Sequence, residues 1–271
     1  MADPDRAAIE REPSPPPPGR ASLGERAFGD AVLEDDLRHE AEGAVRRGTS
    51  RARGAVDDGA AAEVSPAEEV RAELERAVGP TRAARLDKRL EDAARAFRRD
   101  RFADAARILR PLASEAPSVA SVRELYGLTL YRQGKWRPAA KELEAFRLLT
   151  GSTEQHPVLA DCYRALRRWD DVDALWEELR EASPSAALVV EGRIVTAGAL
   201  ADRGDLAGAI RLLEQGWKRP KRAQEHHLRR AYALADLEER VGDVSRAREL
   251  FGWVAAQDPE FADVERRLRS L

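Results

Sequence analysis

The chain has 271 residues, with 46 Lys and Arg against 49 Asp and Glu, a formal net charge of −3, and one cysteine. The near balance of charge excludes a general attraction to nucleic acid. The single cysteine, Cys162, excludes an intramolecular disulfide and a multi-cysteine metal site. No run of about 18 apolar residues is present, so no membrane span is expected. The first residues lack the basic and apolar regions of a signal peptide, which favours a cytoplasmic protein.

Residues 1–64 contain 14 acidic and 9 basic residues, few large apolar residues and a proline-rich run over 13–19. Such a segment buries too little apolar surface to offset its ordering entropy, so we predict a disordered, acidic, proline-rich tail over 1–64. Within it, apolar residues near helical spacing indicate a transient amphipathic helix that could dock on a partner or on the protein's own groove: Phe28, Val32, Leu37, Ala41 and Val45.

Order is expected to begin at Ser65. Ser65 and the next three residues form a capping-box pattern with proline at the first helical position. Gly79-Pro80 is a helix stop signal, so we predict an N-terminal capping helix over 65–80. Thr81 is the expected cap of the helix that follows.

Beyond this point, bulky apolar residues recur at intervals of 33 to 38 residues: Phe102, Trp136, Trp169, Leu206 and Val244. Three positions after each comes a smaller residue, in order Ala105, Ala139, Val172, Ala209 and Ala247. Seven positions after each comes a large apolar residue, in order Leu109, Leu143, Trp176, Leu213 and Phe251. A turn sequence precedes every repeat of the pattern, so each unit is predicted to be helix, tight turn, helix.

The order of small residue, turn glycine, aromatic residue, alanine and final proline resembles the tetratricopeptide repeat (TPR) family over about residues 82–258. The second unit carries it most fully, with Gly127, Tyr131, Gly134, Trp136 and Ala139. The resemblance implies an all-α fold, a right-handed solenoid of about five helix pairs over 81–271. A C-terminal capping helix over 259–271, with Asp258 as its cap, is expected to close it.

The resemblance also implies that the first helix of each pair lines a concave, ligand-binding face. Mapped onto this chain, that face carries the candidate partner-binding residues Arg98, Tyr131, Arg132 and Arg164. Arginine pairs with carboxylates in a fork geometry, and tyrosine and arginine are enriched at binding hot spots. We therefore expect a protein or peptide partner in this groove.

A second candidate surface is the segment 217–230, which holds six basic residues and one acidic residue, Glu225. Basic side chains beside Trp217 suit phosphate contact with base stacking. The expected contact residues are Lys218, Arg219, Lys221 and Arg222. This segment favours an alternative function, an RNA- or ribosome-associated factor.

Sequence signatures of catalysis are lacking. The four histidines are His39, His156, His226 and His227, and adjacent histidines on a helix point in different directions. No phosphate-cradling glycine loop or local nucleophile motif is present. We therefore expect a non-enzymatic scaffold or adaptor without a cofactor or metal. A self-associating structural protein is a further alternative, and the sequence leaves the oligomeric state open.

Overall fold

A computed structural model describes residues 66–271, and within that range the chain is all-helical, with no strands. The all-α prediction is thus confirmed for this part. The predicted tail over 1–64, its amphipathic stretch and the Ser65 cap lie outside the described residues. The helices are α1 (Pro66–Val78), α2 (Pro80–Arg98), α3 (Phe102–Glu115), α4 (Ala120–Arg132), α5 (Trp136–Thr150), α6 (His156–Ala165), α7 (Trp169–Ala182), α8 (Ala186–Asp202), α9 (Leu206–Glu214), α10 (Glu225–Val241), α11 (Val244–Gln257) and α12 (Val264–Ser270).

Helices α2 to α11 follow one another as five helix pairs. We call α2, α4, α6, α8 and α10 the first helices, and their successors the second helices. Each helix packs on its neighbours in chain order, and each first helix also contacts the next first helix. The first helices therefore form a continuous row.

The recurring bulky residues mark where the second helices begin. Phe102, Trp136, Trp169, Leu206 and Val244 are the first residues of α3, α5, α7, α9 and α11. The alanines or valine three positions later are all fully buried, and so are four of the five large residues seven positions later. Four of the bulky residues at the helix starts are partly buried against the core, whereas Val244 is 40% exposed. The buried positions one and two turns on face the same side of each second helix. The second helices thus begin at the residues that the spacing marks.

A left-handed residue makes each turn between the paired helices. Gly134, Gly204 and Gly242 have φ values of 68°, 88° and 89°. Asp100 and Arg167 hold the same place in the first and third pairs, with φ values of 56° and 58°. Because a side chain raises the energy of this conformation, these two turns carry backbone strain that glycine avoids.

Small residues allow the paired helices to approach closely. A Cβ placed on Gly127 of α4 would lie 2.7 Å from the Leu143 side chain of α5. Ala93, Ala160, Ala197 and Ala235 hold the matching positions of the other first helices, and all are buried. The small-residue position of the repeat thus has a packing cause.

The N-terminal helix α1 contacts both its neighbour α2 and the start of α4. Helix α1 packs on α2, and the Glu73 carboxylate accepts a hydrogen bond of 2.6 Å from the Ala120 amide at the start of α4. Gly79, with φ 79°, is the N-cap residue of α2, and Pro80 begins that helix. The prediction that Thr81 caps α2 is therefore wrong, because the Gly79-Pro80 turn already supplies the helix start.

The C-terminal helix is shorter than predicted. Helix α12 begins at Val264 with Asp263 at its N-cap, whereas residues 259–263 form turns. The expectation of a helix that starts at Pro259 under an Asp258 cap is wrong, because Ala262 adopts a left-handed backbone, with φ 48°, that interrupts any helix there. None of the helices over 66–271 combines the length and apolar character needed to cross a membrane.

Candidate partner-binding surfaces

Three of the four candidate groove residues belong to internal contacts between helix pairs. The Tyr131 hydroxyl of α4 donates to Asp161 Oδ2 of α6 at 2.7 Å. Arg164 donates to Asp161 Oδ1 through Nε and to Asp202 Oδ2, at the end of α8, through Nη1, both at 2.7 Å. We call Tyr131, Asp161, Arg164 and Asp202 the Asp161 cluster. It links three consecutive first helices.

Burial and charge in the Asp161 cluster favour a structural role. Tyr131 is only 7% exposed, and burial together with Asp161 raises the pKa of its hydroxyl well above the usual value. Burial lowers the pKa of the Arg164 guanidinium, but Asp161 and Asp202 outweigh that effect and raise it. Tyr131 is therefore not a ligand-facing side chain, and that prediction is wrong, because the next first helix covers it.

Arg132 and Arg98 lie outside this cluster. The Arg132 guanidinium lies over the Phe102 ring, 4.5 Å from its centroid, and Nη2 is 3.6 Å from Asp100 Oδ1. Its side chain is 11% exposed, so it too faces the protein. Arg98, at the end of α2, is exposed. The structure thus divides the predicted patch, and Arg98 is its accessible member.

Polar links that span one repeat recur along the row of first helices, and sequence reasoning missed them. Gln155 donates to Glu124 at 2.8 Å, and Arg229 donates two hydrogen bonds to Glu191 at 2.6 and 2.8 Å. Beyond the last pair, Arg267 of α12 donates to Asp236 at 2.8 Å. The available signal was the sequence separation: these partners lie 31 to 38 residues apart, close to the repeat interval.

Only part of the basic segment 217–230 reaches the surface. Lys218, Lys221 and Arg222 are exposed, and Arg219 pairs with Glu249 at 2.6 Å. Arg229 and Arg230 are buried in α10. These two arginines, which are not among the expected contact residues, hold neighbouring elements together.

Arg230 and Arg193 converge on the end of α9. Arg230 donates to the carbonyl oxygens of Leu213 and Gln215 at 2.8 and 2.7 Å. Arg193 donates to those of Leu212 and Gln215 at 2.9 and 3.2 Å. These oxygens lack helical partners, so both guanidinium groups cap the helix. Burial, with the nearby charge of Arg193, lowers the pKa of Arg230 to about 10.

Trp217 is already engaged by protein groups. Its ring meets the Trp253 ring edge-on, with centroids 5.7 Å apart, and the Arg230 guanidinium lies 5.5 Å from its centroid. Stacking of a base on Trp217 would have to displace one of these contacts. Trp217 therefore supports nucleic-acid binding less strongly than its position in the sequence indicated.

A cleft of about 450 Å³ opens between the N-terminal ends of α8 and α10. Its lining includes the apolar Ala186 and Ala187 and the polar Gln224, Glu225 and His226. The buried Arg229–Glu191 pair lines it as well. Burial, followed by the neighbouring His227, lowers the pKa of His226, so at neutral pH this imidazole is uncharged.

The single cysteine and the adjacent histidines lie in structural surroundings. No group of three or more His, Cys, Asp or Glu within 66–271 is arranged to hold a metal ion. Burial raises the pKa of the Cys162 thiol well above its usual value, which disfavours the reactive thiolate. His227 accepts a hydrogen bond of 3.1 Å from the Gln224 amide and so caps α10.

Comparison with known proteins gives no assignment: no model of a known protein family matches the chain, and no curated protein matches its sequence significantly.

Proposed function

We propose that the chain is a non-enzymatic, TPR-like scaffold of the cytoplasm, a right-handed solenoid that binds a protein or peptide partner along its row of first helices. The observation that carries the proposal is the contact pattern: each first helix touches the next first helix, and each second helix starts on the repeat's bulky residue. Units that contact only their neighbours expose an extended surface, which suits binding of a chain-like partner.

The accessible binding residues are the exposed ones at the ends of the first helices, with Arg98 as the first candidate. Tyr131, Arg132 and Arg164 shape and stiffen the row from inside, because each already has a protein contact. A partner that meets Arg98 would need a carboxylate or aromatic group there.

The test uses the tagged full-length chain to capture partners from its native host, followed by measured affinities for the purified partner. Arg98→Glu should weaken binding, while Lys141→Glu, at an exposed site on the second helix α5, should not. Equal loss in both variants, or no loss in either, would refute binding along the first helices.

RNA or ribosome binding is a second candidate, supported by the exposed cations Lys218, Lys221 and Arg222. It predicts an affinity for RNA that falls steeply with salt and falls further in a Lys218→Ala, Lys221→Ala variant. Nuclease treatment of the captured complexes separates the two proposals, since a protein partner stays bound and RNA-bridged ribosomal proteins are lost.

A further inference from the structure

The loop between α9 and α10, residues 216–224, is a concentration of positive charge that we call the basic loop. It holds four basic residues and no acidic one. Arg193 and Arg230, next to the loop, donate hydrogen bonds to backbone carbonyl oxygens and not to carboxylates. By contrast, Arg229 and Arg267 donate to carboxylates, those of Glu191 and Asp236. Glu249 neutralises Arg219, whereas Lys218, Lys221 and Arg222 form no ion pair within residues 66–271.

The cleft between α8 and α10 lies directly beside the basic loop, because Gln224 belongs to both. Ala186 and Ala187 give it an apolar patch, and its two carboxylates, Glu191 and Glu225, both lie near Arg229. The half-buried rings of Trp217 and Trp253 lie on the loop and on α11. A ligand that carries negative charge on one side and apolar side chains on the other would match both features.

This chain contains such a segment. Residues 28–45 hold six acidic residues and one arginine, whereas the rest of 1–64 holds eight of each sign. The net negative charge of residues 1–64 thus comes from the stretch whose apolar residues have near-helical spacing: Phe28, Val32, Leu37, Ala41 and Val45.

The connecting chain is long enough. Twenty residues, 46–65, separate the segment from α1, and such a length can span at most about 70 Å. Five first helices packed side by side at the usual spacing extend over about 40 Å. The segment can therefore reach the basic loop of its own molecule.

We infer that residues 28–45 bind across the basic loop and the adjacent cleft of the same chain, with their carboxylates on Lys218, Lys221 and Arg222. The contact goes beyond the scaffold function and does not depend on it.

Carbodiimide crosslinking of the full-length chain, with mapping by mass spectrometry, tests the contact. Only five lysines are present, at positions 88, 135, 141, 218 and 221, so each crosslink has few possible sites. Crosslinks from Glu34, Asp35 and Asp36 should fall on Lys218 and Lys221 at low salt. They should decrease roughly threefold or more at high salt, because exposed charges are screened.

A charge-reversed variant provides the control. Arg219→Glu with Arg222→Glu leaves both loop lysines available and should reduce the crosslinks, whereas the same change at two exposed arginines elsewhere, Arg82→Glu with Arg110→Glu, should not. Crosslinks spread evenly over the five lysines, or unchanged in the loop variant, would overturn the inference. Crosslinks between isotopically heavy and light chains would overturn the same-chain assignment and place the segment on a second copy.

Discussion

Arg229 of α10 and Glu191 of α8 form a two-pronged ion pair, with donor–acceptor distances of 2.6 and 2.8 Å, and the arginine side chain is 2% exposed. The two residues lie 38 positions apart, and each belongs to a first helix. The pair thus joins two neighbouring helix pairs through charge as well as through apolar packing.

Removing one member of this pair should be costly. Glu191→Leu removes the two-pronged partner of the buried Arg229 and leaves Glu225, 3.8 Å from its guanidinium, as the nearest carboxylate. We expect a loss of up to about 3–5 kcal/mol in the free energy of unfolding, measured with urea. The double variant Glu191→Leu, Arg229→Met should recover much of it, because no charge is then buried. Glu177→Gln, at the exposed pair with Arg180, should change little. Similar losses in the single and double variants would show that packing is the dominant contribution.

The repeat register is tested by two leucines of α5. Leu143 is 0% exposed and lies against Gly127, whereas Leu148 is 79% exposed. Leu143→Ala should cost about 2–5 kcal/mol, and Leu148→Ala should cost less than about 0.5 kcal/mol. Thermal or urea denaturation of the two variants compares the same substitution at a buried and at an exposed position of one helix. Equal costs would mean that the two helices of the pair are packed in another register.

Backbone strain in the turns gives a stabilising prediction. Arg167 is exposed and has φ 58°, so Arg167→Gly should raise stability by up to about 1 kcal/mol. Gly204 has φ 88° and open space around its Cβ position, so Gly204→Ala should lower stability by about 1 kcal/mol through conformation alone. Calorimetric melting temperatures should move in opposite directions, and a shift of the same sign in both variants would contradict the strain argument.

Stability at the C-terminal end should depend on acid pH. Burial raises the pKa of Asp263, but hydrogen bonds from Tyr232 and Arg266, with the charges of Arg266 and Arg267, outweigh it, and the pKa lies below its ordinary value of 3.8. Because the folded value is the lower one, the ionised carboxylate stabilises the fold above that ordinary value. The stabilisation is lost as the pH falls through the folded pKa.

Urea titrations of wild type and Asp263→Asn should therefore differ at about pH 5, and the difference should shrink as the pH falls below 3.8. Tyr232→Phe, which removes the hydroxyl that donates to Asp263, should reduce the pH dependence without abolishing it. A difference between wild type and Asp263→Asn that stays constant over this range would assign the effect to packing.

Sequence periodicity located the second helices well because their register depends on apolar volume. Trp136, Ala139 and Leu143 are spaced by one helical turn, and few other arrangements bury them together. The turn positions were also predictable, since Gly134, Gly204 and Gly242 occupy a left-handed conformation that few residues adopt without strain.

The candidate site was harder to predict because the sequence does not show whether an ionised side chain is exposed on the surface or buried in an ion pair. Tyr131 and Arg164 occupy first-helix positions that the TPR resemblance assigned to a ligand, and Asp161 takes their hydrogen bonds. Whether a charge meets solvent or a neighbouring helix depends on a contact about one repeat away. The start of α12 was missed for a local reason, the left-handed Ala262.

The Arg229–Glu191 pair also gives the helix pairs an order. A unit inserted between the fourth and fifth pairs would move Arg229 away from Glu191 and leave a buried charge on each side of the new junction. Two of its counterparts have partners of their own, since Arg164 meets Asp202 and Arg267 meets Asp236. The units are therefore not interchangeable modules. Lengthening this array by duplication would require a compensating change of charge at every junction it creates.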